Sequence, residues 1–211
     1  SDIFLENKIL QNLLQDELFL LILQKSLITD KFLEKLLTSL RSKLLHKIEI
    51  FDKDIFKKYF NFIISLAEQS WLNEYIYNES ELEINKINKL KNKIENNEKI
   101  NEIETAILGT YIPLNSSEII VNRLLNYKSL NILFNDLINM QIKEPLKENE
   151  LTKLIKSLDT IDDDVSKKVR KQYEENPYPR WRSTHKIIPS NFFNWLSKEI
   201  KPNQIDYIDK F

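Results

Sequence analysis

The stretch Asp54–Ile76, DIFKKYFNFIISLAEQSWLNEYI, decides how the rest of the chain is read. Ile55, Phe56, Tyr59, Phe60, Ile63, Leu66 and Ala67 recur at spacings of three and four, and Trp71, Leu72, Tyr75 and Ile76 extend the same stripe. This is the period of a helix; in a strand, alternate residues would share a face. Phe62 and Ile64 fall off the stripe, which predicts a helix buried on more than one side. Asp52 or Asp54 would open it.

The same period runs outward in both directions. Upstream, Ile9, Leu10, Leu13 and Leu14 form a stripe that Leu18, Leu21 and Ile22 continue, predicting helix from residue 2 to 23. Thr29 or Asp30 offers a side-chain oxygen to an orphan N–H at the next helix start. Phe32, Leu33, Leu36, Leu37, Leu40, Leu44 and Leu45 follow on one face. Downstream, Ser80 and Glu83 match a capping box, ahead of Leu82, Ile87, Leu90 and Ile94. A shorter helix carries Ile100, Ile103, Ala106 and Ile107, and Gly109 stands where a C-cap glycine belongs, with Pro113 beyond. Ser116 or Ser117 starts another. The next, from about residue 129 to 143, is expected to stop before Pro145, and a short one follows around 151 to 158.

The block Asp162–Asp163–Asp164 places acids at a helix start, where the macrodipole favours them. That helix carries Val165, Val169 and Tyr173, with a cationic side of Lys167, Lys168, Arg170 and Lys171. It must end near Asn176, because Pro177 disfavours helical geometry in the residue before it. Ser190 caps a last helix with Phe192, Phe193, Trp195 and Leu196, and Pro202 ends it. The expected fold is all-α: an irregular multi-helix domain or solenoid-like helix pairs. The expected organisation is a helical domain over 1–160, then a segment over 161–211 holding the last two helices and the arm between them.

Composition narrows the function. Of 211 residues one is Gly and none is Cys. Tight hairpins and phosphate-cradling loops need glycine, and neither a dinucleotide fingerprint nor a P-loop pattern is present. Two His, at 46 and 185, leave zinc without its usual ligands. Net charge is −1 with Lys, Glu and Asp interleaved, unlike the basic stripe of a nucleic-acid binder. No apolar run approaches the roughly 20 residues of a membrane helix. Neither nucleic acid nor membrane is an expected partner. The lack of Cys fits a reducing compartment, and the cytoplasm is expected.

The least ordinary stretch is Tyr173-Glu174-Glu175-Asn176-Pro177-Tyr178-Pro179-Arg180-Trp181. Two prolines stiffen it, Tyr178 and Trp181 present large surfaces, and Arg180 can pair with a carboxylate or stack on a ring. It is either a buried connector or an arm that docks against another domain or closes over a pocket. Glu74 and Glu79, near Trp71, Tyr75 and Tyr77, are weaker candidates for a cleft. His46 reads as a helix-end residue.

VSKKVRKQYEENPYPRW (Val165–Trp181) resembles a motif of bacterial proteins that join a helical, often tetratricopeptide-repeat, region to a class I S-adenosylmethionine-dependent methyltransferase domain. ITDKFLEKLLTSLRSKLL (Ile28–Leu45), LAEQSWLNEYIYNESE (Leu66–Glu81) and MQIKEPLKENEL (Met140–Leu151) resemble further blocks of that family, so the likeness covers most of the chain. The family's cofactor domain follows this region and opens with a strand and a glycine-rich loop. The chain ends at Phe211 with Gly109 as its one glycine, so no catalytic, cofactor-binding or metal residue is carried over. The resemblance implies an N-terminal accessory or substrate-recognition domain whose partner is its own C-terminal methyltransferase domain, with a protein substrate or other partner beside it. S-adenosylmethionine is then the expected cofactor of the full-length protein. It marks Tyr173, Glu174, Asn176, Pro177, Tyr178, Pro179, Arg180 and Trp181 as a hallmark arm. The other reading is a free-standing helical protein-interaction module.

Overall fold

Helix α5 (Phe60–Leu72) is buried at every residue from Phe62 to Ser70, and the other helices are arranged around it. The structure, a computed structural model, describes residues 7–48, 53–154 and 163–175. All of them lie within the first of the two compact units into which the chain divides, Ser1–Arg180. Before α5 come α1 (Lys8–Leu13), α2 (Glu17–Lys25), α3 (Lys31–Lys47) and α4 (Lys53–Lys58). After it come α6 (Glu81–Asn96), α7 (Glu102–Gly109), a 3-10 turn (Leu114–Ser116), α8 (Glu118–Leu124) and α9 (Ile132–Ile138). A π turn (Asn139–Lys143) leads into α10 (Glu144–Thr152), and α11 (Asp164–Glu175) is the last described element. No strand occurs among the described residues; the fold is all-α.

Helices α2, α7 and α9 pack on α5, while α3 packs on α6 and α7, and α6 on α7 and α8. In a solenoid each repeat touches only its neighbours. Here α5 touches α9 across three intervening helices, α6, α7 and α8, so the arrangement is of the irregular kind. The helix starts follow side-chain chemistry. Asn7, Asp16, Asp30, Asn101, Ser117 and Asn131 each accept a backbone N–H from the first turn they precede. Ser80 and Glu83 form the full reciprocal capping box. Such a cap contributes about 1 kcal/mol.

Several expectations are corrected. The single helix expected over 2–23 is, within the described part, two: Asp16 caps a new helix and resets the phase. Phe19, Leu20, Leu23 and Gln24 then face the core, and Leu18, Leu21 and Ile22 point outward. The helix through Tyr59 is interrupted there, where φ −104° and ψ 16° leave the helical region. Phe32, Ile76 and Leu82 are exposed instead of continuing their stripes. Gly109 is the last residue of α7 and has no positive φ. It faces α5: a Cβ there would lie 3.5 Å from Ala67 Cβ, an ordinary van der Waals contact. The helix expected to stop before Pro145 runs on, with Pro145 at the start of α10. A proline ring collides with the carbonyl four residues earlier in a regular helix. The wider π turn begins ahead of that carbonyl, on Gln141, and bonds Glu144 N–H to Asn139 O. No separate helix begins at 151: Leu151 and Thr152 close α10, and a turn follows at 153–154. Residues 155–158 and the last helix, around 190 to 201, lie outside the described residues.

Candidate functional site

The arm singled out in the sequence falls mostly outside the described residues. The backbone of Tyr173, Glu174 and Glu175 belongs to α11; Asn176, Pro177, Tyr178, Pro179, Arg180 and Trp181 lie beyond. Asp163 caps α11, accepting Ser166 N–H at 2.7 Å. Val165, Val169 and the cationic residues from Lys167 to Lys171 are exposed. No group of His, Asp and Glu suited to a metal occurs among the described residues.

What the structure does bring together is a set of buried polar side chains that sequence reading missed. Helix α3 carries Arg41 into the core among Leu37, Leu40, Leu44 and Leu45, with no exposed surface. Its Nη2 donates to Tyr77 O at 3.2 Å and Asn78 O at 3.0 Å, and its Nη1 to Thr110 O at 3.2 Å. The guanidinium lies 4.0 Å from the Tyr111 ring centre and 5.3 Å from that of Tyr77. Glu79 Oε1 is 3.7 Å away. A buried charge is tolerated only when paired and hydrogen-bonded, and a planar, permanently charged fork suits carbonyls and aromatic faces together.

Glu83 completes this centre from α6. Tyr111 donates its hydroxyl to Glu83 Oε1 at 2.7 Å, and Ser80 donates N–H and hydroxyl to Oε2 at 2.9 and 2.8 Å. Burial alone would raise the Glu83 carboxyl. The bonds from Ser80, Tyr111 and the Ser42 hydroxyl outweigh it and hold the group at about 2. Burial, partly offset by Arg41, pushes Tyr77 up to about 12. Burial and the bond to Glu83 push Tyr111 well above the usual phenol range. Burial also raises Glu79, against the pull of Arg41. An open hollow of about 580 Å³ lies outside, lined by Lys35, Thr38, Ser42, Asn78 and Glu83 among others.

Just past α5 the chain makes a turn of unusual geometry. Glu74 and Tyr75 adopt φ 57° and 59°, the left-handed region that costs a non-glycine residue about 1–2 kcal/mol. Tyr75 N–H bonds Ser70 O at 2.8 Å and Asn73 Oδ1 at 3.1 Å, and its hydroxyl reaches Gly109 O at 3.4 Å. Arg41 grips the carbonyls of Tyr77 and Asn78 just beyond. The candidate cleft acids are thereby placed. Glu79 faces Arg41, and Glu74 sits in the strained turn.

Two glutamines do for α5 what Arg41 does for the turn. Gln69 donates to Leu23 O at 2.8 Å and Ser26 O at 2.7 Å, and accepts from Ile28 N–H at 3.0 Å. It satisfies main-chain groups where α2 ends. Gln141, in the π turn, donates to Ala67 O at 3.1 Å and Gly109 O at 3.3 Å, and accepts Leu114 N–H at 3.1 Å. Arg41, Gln69 and Gln141 are each fully buried. They fix backbone; none presents a free functional group to a reacting atom. His46 bonds Ser42 O at 2.8 Å in the last turn of α3, the helix-end role expected.

A larger open groove, about 860 Å³, is lined by Phe60, Ile100 and Ile103 and by polar residues that include Lys57, Asn97, Lys99, Asn101 and Glu102. Beneath it Phe60, Phe134 and Tyr127 pack ring against ring at 5.9 and 6.3 Å. Its lining mixes both charge signs, Lys57 and Lys99 with Glu98 and Glu102, unlike the basic surface a polyanion needs.

Among the described residues, no helix is long and apolar enough to cross a membrane. Compared with family models, with curated proteins and with solved structures, the chain finds no match. What can be stated of its class is a multi-helix all-α domain organised by buried polar clamps.

Proposed function

We propose that the chain is an N-terminal accessory, substrate-recognition region of a class I S-adenosylmethionine-dependent methyltransferase of the tetratricopeptide-repeat-associated bacterial kind. The observation that carries the reading is where the blocks that resemble that family's helical region fall. Ile28–Leu45 contributes Arg41; Leu66–Glu81 contributes Gln69, the Glu74–Tyr75 turn and two of the three carbonyls Arg41 holds, those of Tyr77 and Asn78; Met140–Leu151 contributes Gln141. Three separated stretches that share a likeness to one family also share one buried framework. In this reading the framework holds a rigid body, and the Tyr173–Trp181 arm couples it to the methyltransferase domain that binds S-adenosylmethionine. The location proposed is the cytoplasm.

The test begins with the gene beyond Phe211. A strand followed by an acidic residue and a glycine-rich loop is expected there. The full-length product should transfer a methyl group from S-adenosylmethionine, and the 211-residue chain alone should not. Trp181→Ala should then leave the urea midpoint of the 211-residue chain nearly unchanged while lowering methyl transfer by the full-length protein. A loss of roughly 3–5 kcal/mol in the shorter chain would instead make Trp181 a core residue. A stop codon after Phe211 would favour the second reading, a free-standing helical interaction module. That reading draws on the open groove over Phe60, Ile100 and Ile103.

A further inference from the structure

Helix α2 has two apolar faces, and the body of the domain covers only one. Phe19, Leu20, Leu23 and Gln24 are buried on the side that packs against α5. Leu18, Leu21 and Ile22 occupy the opposite arc and are 66%, 50% and 39% exposed, and Leu27, just past the helix, is 42% exposed. At 100° per residue, 18, 21, 22 and 25 share one arc, whereas 19, 20, 23 and 24 share the other. The outward arc therefore reads Leu, Leu, Ile, Lys. Isolated exposed apolar residues are ordinary, but a contiguous stripe on one helix marks an interaction surface.

We infer that this face is the interface of a twofold-symmetric dimer, in which α2 packs antiparallel against α2 of a second copy. The charges on the helix choose the occupant. Glu17 stands in the first turn, at the flank of the outward arc beside Leu21, and Lys25 stands in the last turn on the arc itself. The two ends are about 12 Å apart at 1.5 Å per residue. An antiparallel copy is complementary to that pattern: Leu21 lies opposite Ile22 of the partner subunit, Leu18 against the stem of Lys25 of the partner subunit, and Glu17 beside the same Lys25. A twofold axis repeats each contact, so two ion pairs flank one apolar seam. A parallel copy would set Glu17 beside Glu17 of the partner subunit and is disfavoured.

The area fits. A standard interface takes about 800 Å² from each partner, of which about 57% is apolar, or roughly 450 Å². Leu18, Leu21 and Ile22, with Leu27 just past the helix, expose an apolar patch on the order of a few hundred Å², the same order as that apolar share.

The experiment is the molar mass of the 211-residue chain in solution, by light scattering and sedimentation at micromolar concentration. The expected result is twice the 25.3 kDa of one chain. Leu21→Glu should weaken association by about 100-fold, as for a hot-spot residue, with the helical circular dichroism unchanged. A second arm leaves the apolar seam untouched. Glu17→Lys should weaken the dimer by about 10-fold, since two pairs become repulsive. Adding Lys25→Glu should restore it to within about 3-fold of the original, because each pair is then re-formed with its charges exchanged. A single chain of 25.3 kDa under all these conditions overturns the inference. So does a dimer that Leu21→Glu leaves intact, or one that the double reversal fails to restore.

Discussion

Arg41 is one side chain that holds two turns. Its three hydrogen bonds end on the carbonyls of Tyr77, Asn78 and Thr110, so the connections after α5 and after α7 are fixed by the same group. Gln69 acts likewise on the end of α2, and its removal is the cleaner measurement because no charge is involved. Gln69→Leu keeps similar volume but strips partners from Leu23 O, Ser26 O and Ile28 N–H. Each buried group left without a partner costs about 1–3 kcal/mol, and solvent or local movement will satisfy some of them. The expected loss is about 3 kcal/mol, read from the urea midpoint at constant slope. A loss below about 1 kcal/mol would mean that these groups find water. Glu83 gives a test of sign. Its carboxyl stands at about 2 in the folded chain against 4.5 for the free group, so its contribution is complete above 4.5 and is lost as pH falls through 2. The urea midpoint should decline across that window, and Tyr111→Phe, which removes one donor, should make the decline shallower. Tyr77 acts at the other extreme. Its phenol stands at about 12 against 10, so its contribution is complete below pH 10 and is lost as pH rises through 12.

At the scale of elements, what could be read from the sequence was the chemistry of helix starts. Asp30, the Ser80–Glu83 box and Ser117 stand where a side-chain oxygen was expected to take a backbone N–H, because a cap is a local interaction of a few residues. That α5 is buried on more than one side was also legible, since Phe62 and Ile64 broke its stripe. Which face of a doubly apolar helix turns inward was not. Leu18, Leu21 and Ile22 continued the spacing of α1, and only the cap at Asp16 shifts the phase. Arg41, Gln69 and Gln141 were not picked out either, because their partners lie between 27 and 74 residues away. The one local sign was a polar residue on an apolar face: Arg41 stands between Leu37 and Leu44. The arm from Asn176 to Trp181 lies outside the described residues, so its sequence reading has no structural counterpart here. Gly109 supplies the test at this scale. The residue has no positive φ, and a Cβ would make ordinary contacts of 3.5, 3.5 and 3.6 Å with Ala67, Gln141 and Leu114. Gly109→Ala should therefore stabilise the domain by about 0.5–1 kcal/mol, through lower entropy of the unfolded chain. A C-cap glycine would respond with the opposite sign, so thermal or urea unfolding of this one variant decides between the two descriptions.

For the whole molecule, burial is distributed unevenly along the chain, and that should set the order in which it opens. Helix α5 has nine consecutive buried residues and receives α2, α7 and α9 on its sides. Both glutamine clamps bear on it, Gln69 from within and Gln141 onto Ala67 O. Opening α5 therefore means separating three other helices and exposing buried amide groups, which amounts to unfolding the domain. Helix α10 is the opposite case: it contains no buried residue. The side chains from Asp164 to Gln172 on α11 are exposed as well. Propensity alone holds a helix of about ten residues only marginally in water, so α10 and α11 can fray without disturbing α5. Hydrogen exchange should then report three levels. Amides from Ile64 to Ser70 should exchange at the rate of global unfolding. Those of α3 and α6, each with one buried and one solvated face, should be intermediate. Those of α10 and α11 should exchange fastest among the described helices. Gln69→Leu should lower protection in α5 by its full effect on stability and leave α10 unchanged. If α10 were protected as strongly as α5, a covering surface outside the described body would be required, and the Tyr173–Trp181 arm with the chain beyond it would be the first place to look.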